Sequence, residues 1–190
     1  MPLTTLTDEY GPPPADLATL LRLNDTQDEG LEEALSELGC HLIAPDDAPT
    51  LLNPASYMSE AELADPSIAA NIVATDQVCA HISFFVEDEE RNLFGYWHGP
   101  ERVPLAEAPI VKYDNEGQFS LAQGLGLVEA LIGDRVFEDD EAFAEHAERF
   151  EELGIAIANR SWDELASPEP ATKPDELHGL LYERAEANPS

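Results

Sequence analysis

Positive charge is what this chain has least of. Its 190 residues hold 9 Lys and Arg against 40 Asp and Glu, a formal net charge of -31. Between Arg22 and Arg91 there is no Lys or Arg at all, although that stretch carries sixteen acids. Proteins that grip DNA or RNA neutralise phosphates with Lys and Arg, so direct binding to nucleic acid through a basic surface is not expected. Cysteine is scarce too. Two thiols, Cys40 and Cys79, make no disulfide framework and are expected to stay reduced in a cytoplasmic protein. No apolar run approaches the roughly 18 residues of a membrane span, and Met1–Tyr10 lacks the basic start and apolar middle of a secretion signal. No membrane partner is expected. The chain also has no Gly-Lys-Ser/Thr phosphate loop and no G-x-S-x-G nucleophile elbow.

What the chain does have is enough apolar material for one core, 43% of its residues. Asp16 is placed to cap a helix carrying Leu17, Leu20 and Leu21 on one face, and Asp28 opens another with Leu31, Ala34, Leu35 and Leu38 at helical spacing. Pro45–Pro54 reads as a loop. Ser59 with Glu62 fits a capping box, and Asp65-Pro66 fits an N-cap followed by proline at the first helical position. From Val78 the pattern changes to a period of two, with Ala80, Ile82, Phe84 and Val86 on one side. Glu87–Asn92 then reads as a polar turn, returning through the aromatic-rich Leu93–His98 as a hairpin. A second hairpin, Ile110–Tyr113 with Gln118–Leu121, turns at Asp114-Asn115-Glu116-Gly117, where Gly117 supplies a positive φ. Helices follow, the first stopped by Gly133 and the next begun at Asp139/Asp140. Ser161 and Glu164 suggest a capping box around Trp162, and a proline-containing linker, Ala166–Pro174, precedes a last helix. The expected class is α+β: a central antiparallel sheet of hairpins, flanking helices and a C-terminal helical segment.

Signals for chemistry are weak. Gly124-Leu125-Gly126-Leu127-Val128-Glu129 follows a strand and opens a helix, but a carboxylate at the third glycine position would repel a pyrophosphate. Cys79, His81 and His98 fall on neighbouring strands, short of the three or four convergent ligands that a metal requires. With so many carboxylates, no single acid pair marks a catalytic centre. No catalytic residue, metal or cofactor is assigned. The densest acidic run, Glu87-Asp88-Glu89-Glu90, is expected at a hairpin tip, where it suits recognition of a basic surface.

The segment Ile82–Ile132 resembles the SUKH superfamily, the family of the yeast cell-wall-assembly regulator and many bacterial immunity proteins. The resemblance rests on Ile82-Ser83-Phe84-Phe85-Val86, Asn92-Leu93-Phe94-Gly95-Tyr96-Trp97, Pro109-Ile110-Val111, Asp114-Asn115-Glu116-Gly117-Gln118-Phe119 and the Leu125–Ile132 helix. It implies a single SUKH-like domain over residues 1–190, with a core of about 16–133 and a helical C-terminal extension over 134–190. It also implies a non-enzymatic binding module: an immunity protein that blocks a basic toxin, possibly a nuclease, by direct contact. The expected contact residues are Glu87, Asp88, Glu89, Glu90, Trp97, Asp114, Asn115 and Glu116, with Tyr96 or Trp97 as aromatic anchor. The alternatives are a regulatory or scaffolding module of the same fold, and, from another class, a small carboxylate-dependent hydrolase. Neither the partner's identity nor the oligomeric state follows from the residues.

Overall fold

A computed structural model of the chain describes residues 3–44, 52 and 58–187. The Pro45–Pro54 loop lies almost wholly outside the described residues. The elements run α1 (Leu3–Tyr10), α2 (Ala15–Asp25), α3 (Glu29–Glu37), β1 (Cys40–Leu42), α4 (Glu60–Leu63), α5 (Pro66–Cys79), β2 (Ile82–Asp88), β3 (Leu93–Trp97), β4 (Ile110–Tyr113), β5 (Phe119–Leu121), α6 (Leu127–Arg135), α7 (Asp140–Glu152), a 3-10 turn (Trp162–Glu164) and α8 (Pro174–Ala187). The five strands form one antiparallel sheet in the order β1-β2-β3-β4-β5. The protein is α+β.

Local signals set most helix starts. Asp28 accepts from the Leu31 N–H, Asp65 from Ser67 and Ile68, and Asp139 from Ala142. The Ser59–Glu62 capping box is complete in both directions. The 161–164 box is not. Ser161 makes no capping bond, and the Glu164 carboxylate accepts instead from the Arg160 N–H. Gly133 does not stop its helix, which runs on to Arg135. Helix α5 continues to Cys79, so the strand starts only at Ile82.

Both faces of the sheet are covered. On one side, Phe85, Val86, Phe94, Tyr96 and Ile110 join Leu6, Leu17, Leu20, Leu35, Leu131, Phe143 and Phe150 in the main core. On the other, Val78, Trp97, Val111 and Phe119 pack with Leu177 and Leu181 under α5 and α8. The expected alternation in β2 breaks at one place. A bulge between Phe84 and Val86 shifts the register against β3, so Val86 joins Phe85 in the main core instead of sharing Phe84's side. One extra residue reverses the parity of a period-two strand. Residues beyond 133 are no appendage, since Phe143, Ala147, Phe150, Ile155, Ile157 and Leu165 are buried in the main core.

The β4–β5 hairpin takes the turn expected of it. Gly117 has φ 84, and its N–H donates to the Asp114 carbonyl at 3.0 Å. Gly117→Val is expected to lower stability by about 1–2 kcal/mol, because a β-branched residue is forced into the left-handed region. A Cβ there would meet only the Tyr113 hydroxyl, at 3.4 Å, so the loss is backbone strain and not a clash. Thermal unfolding measures it, and an unchanged melting temperature would contradict the assignment.

Candidate functional site: two interlocked acidic turns

The two turns expected to carry contact residues lie side by side at one end of the sheet. Each is organised by its own aspartate. Asp88 Oδ1 accepts from the backbone N–H of Glu90 and Asn92, at 2.9 and 2.8 Å, and its Oδ2 accepts from Asn92 Nδ2 at 2.7 Å. Asp114 Oδ1 accepts from the N–H groups of Glu116 and Gln118, at 3.0 and 2.8 Å. An Asn–Asn clasp joins the turns. Asn115 N–H donates to Asn92 Oδ1 at 3.0 Å, and Asn115 Nδ2 donates to the Glu90 carbonyl at 2.9 Å. Asn92 is buried, so it holds both turns from beneath. This clasp escaped sequence reasoning because the two asparagines lie 23 residues apart.

The expected contact residues divide into two groups. Glu89, Glu90, Asn115 and Glu116 are exposed. Glu87 is not at the tip: it lies in β2, only 6% exposed, paired with Arg91 at 2.5 Å and His41 at 3.3 Å. Asp88 and Asp114 are half-buried, with oxygens committed to the turns. Trp97 belongs to neither group. It sits near the opposite end of β3, 1% exposed, with its indole Nε1–H donating to the Thr172 carbonyl at 2.8 Å. Tyr96 and Trp97 do point to opposite faces, but helices cover both faces, so neither ring is offered to a partner.

Most of the scarce cations are already neutralised within the fold. Arg91 pairs with Glu87, Lys112 with Asp134, Arg135 with Glu89, Arg102 with Glu9, Arg160 with Glu151 and Lys173 with Glu169. Arg149 bridges α7 to α3 through Glu33. The negative surface also extends beyond the turns. Glu29, Glu32, Glu33 and Glu37 on α3, and Glu141, Glu145, Glu148 and Glu152 on α7, are all exposed.

A hollow of about 210 Å³ lies beneath the acidic turns, with Cys40, Phe94 and Leu131 among its walls and the Lys112–Asp134 pair at its rim. Burial pushes the Cys40 thiol up to about 12, and the nearby Asp88 carboxylate adds to the shift. Burial likewise pushes Cys79 up to about 12. Thiols held that high stay protonated at neutral pH and are poor nucleophiles.

The glycine turn before α6 is filled by the protein's own carboxylates. Asp16 does not cap α2. Its Oδ2 accepts from the Leu127 N–H at 2.8 Å, at the start of α6 and 111 residues away. Glu129, also buried, accepts from the N–H groups of Leu125, Ala158 and Asn159 and from Asn159 Nδ2. The positive end of α6 is thus taken up by two acids of the chain.

Cys79, His81 and His98 are not gathered, and among the described residues no three His, Cys, Asp or Glu side chains are placed to hold a metal ion. His98 is part of a different cluster. It is buried against Tyr10, ring centroids 3.6 Å apart, and its Nδ1 lies 2.8 Å from the Val103 carbonyl. That carbonyl can only accept, so Nδ1 carries the proton and Nε2 accepts from the Ser83 hydroxyl at 2.9 Å. Burial pushes the His98 pKa below its ordinary value, while the Val103 bond opposes the shift. As pH falls through about 6.5, the unfolded chain takes up this proton before the folded one does, so stability is lost on acidification. Denaturant titrations between pH 7 and 5 are expected to show a steeper loss for the wild type than for His98→Gln. Equal slopes would contradict this.

No protein-family model matches the chain, and no curated protein or solved structure is found to be similar to it.

Proposed function

We propose that this protein is a non-enzymatic binding module, an immunity protein of SUKH type that occupies a basic toxin, possibly a nuclease, in the cytoplasm of its own cell. The observation that carries the reading is the clasp between the two acidic turns. It fixes Glu89, Glu90 and Glu116 on one rigid end of the sheet, and a preformed charged surface loses little entropy on binding. Opposite charge raises the rate of encounter more than it raises affinity. The long acidic faces of α3 and α7 extend the same field, and the described cations near the turns are already paired.

The test is co-purification from the native host with mass spectrometry, followed by association kinetics with the captured protein. Glu89→Gln, Glu90→Gln and Glu116→Gln combined are expected to slow association at low salt by about tenfold and to flatten its salt dependence. Folding is expected to change little, because all three side chains are exposed and the one ion pair lost, Arg135–Glu89, is a surface pair worth at most about 1 kcal/mol. Glu87 and Asp88 are left alone, since changing them would break the β2–β3 turn itself. An unchanged on-rate, or a captured partner with no basic surface, would end this reading.

A further inference from the structure

Phe137, two residues past the end of α6, is 68% exposed, whereas residues 127–133 of that helix are all buried. Phe137 and Glu138 are the central residues of the turn closed by the Asp139 N–H on the Val136 carbonyl at 2.8 Å, with Glu138 at φ 58. Phe137 stands edge-on to Trp162, ring centroids 4.8 Å apart and planes at 70°. Trp162 is itself locked. Its indole Nε1–H donates to the Gly133 carbonyl at 3.1 Å, and its backbone N–H donates to Asp140 Oδ1 at 2.8 Å.

Beside this pair opens a hollow of about 260 Å³, bounded by Ala130 and Gly133 of α6 and by Leu121 and Ala122 at the end of β5. The hollow is lined by one acid, Asp134, which is paired with Lys112, and the chain beside Phe137 and Trp162 adds the exposed Glu138, Asp139, Asp140 and Asp163 along with the exposed Arg135 and Arg160. The nearby cations are engaged, Lys112 by Asp134, Arg135 by Glu89 and Arg160 by Glu151. The Lys112–Asp134 pair also borders the hollow under the acidic turns, so the two hollows adjoin on one continuous face.

We infer that the Phe137–Trp162 hollow is an anchor socket for one large apolar side chain, flanked by basic residues, on a partner protein. This rests on the reading that the partner is a basic protein, and adds where its apolar anchor is held. The space suits a single side chain, aromatic walls are where interface energy concentrates, and the acids that adjoin Phe137 and Trp162 along the chain favour basic flanks. A second copy of this chain is disfavoured, because two chains of net charge -31 repel each other.

The chain has two tryptophans, and so two indole N–H signals in a nitrogen-15 spectrum. The probes are the peptides acetyl-Lys-Lys-Phe-Lys-Lys-amide and acetyl-Lys-Lys-Ser-Lys-Lys-amide, titrated into the labelled protein. The phenylalanine peptide is expected to move the Trp162 indole signal saturably and to leave that of Trp97, sealed under α8, in place. The serine peptide is expected to bind there at least about tenfold more weakly. Phe137→Ala is expected to erase that difference without lowering the melting temperature, since the ring is mostly exposed. Equal shifts of Trp162 by both peptides would overturn the socket, as would a Trp162 shift on concentrating the protein alone. Peptides that move the amides of Glu89, Glu90 and Glu116 but not Trp162 would overturn the socket while sparing the acidic surface. No shift anywhere would count against both.

Discussion

Glu129→Ala is expected to lower the melting temperature by roughly 6–12 °C. Few buried side chains here do as much. Oε1 accepts from the backbone N–H groups of Ala158 and Asn159, at 2.7 and 3.1 Å, and Oε2 accepts from Leu125 N–H and Asn159 Nδ2, both at 2.9 Å. One carboxylate therefore closes the turn into α6 and also pins the 155–159 segment, whose Ile155 and Ile157 belong to the main core. Truncation strands four donors around the vacated site. Unmet buried donors cost about 1–3 kcal/mol each, and water entering from the half-exposed side recovers part of that, leaving a loss of about 3 kcal/mol. At 2–4 °C per kcal/mol for a chain of this size, the stated range follows. Glu129→Gln separates charge from shape. Its amide keeps one acceptor oxygen but turns an NH2 toward two of the four donors, so about half the effect is expected. Differential scanning calorimetry of both variants measures it, and a wild-type melting temperature for the alanine variant would refute the role.

What could be read from the sequence follows the range of the interactions. Asp28, Asp65 and Asp139 cap helices two or three residues ahead of themselves, and local spacing revealed all three. Asp16 looks equally like a cap, but the N–H it satisfies belongs to Leu127, and nothing local says so. The α+β class and the β2–β3 and β4–β5 hairpins followed from periodicity and two turn signals, whereas the β1–β2 and β3–β4 pairings that complete the sheet did not. The bulge after Phe84 did not, because Phe84-Phe85-Val86 is a run of apolar residues in which either parity looks acceptable and no glycine marks a break. Trp97 illustrates the limit for the site. On a sheet with one open face, one of the pair Tyr96 and Trp97 would meet solvent. Instead α8 crosses that face, and a bond to Thr172, 75 residues on, seals the indole. The acidic turns were legible as turns, and their juxtaposition was not. Phe137 carried no warning, because an apolar residue just after a buried helix reads as more core.

Gly95→Ala is the second large effect, and it arises from space and not from backbone conformation. Gly95 pairs with Phe84 at the point where β2 bulges, in the middle of the sheet. A Cβ there would lie 2.4 Å from the Ser83 carbonyl oxygen and 2.8 Å from Phe84 Cα. Both are backbone atoms of the neighbouring strand, so no side chain can rotate out of the way. The strands must part, which weakens the β2–β3 ladder and loosens Phe94 and Tyr96 in the main core. Overpacking costs about 1–3 kcal/mol when side chains can adjust, and rigid backbone places this change at or above the top of that range. Gly179, within α8, is the control. A Cβ there meets nothing within 4 Å, so Gly179→Ala is expected to raise stability by about 0.5–1 kcal/mol through the helical preference of alanine. Urea titrations of the two variants should therefore move the midpoint in opposite directions. A Gly95→Ala midpoint equal to that of the wild type would mean that β2 and β3 do not approach as closely as the bulge requires.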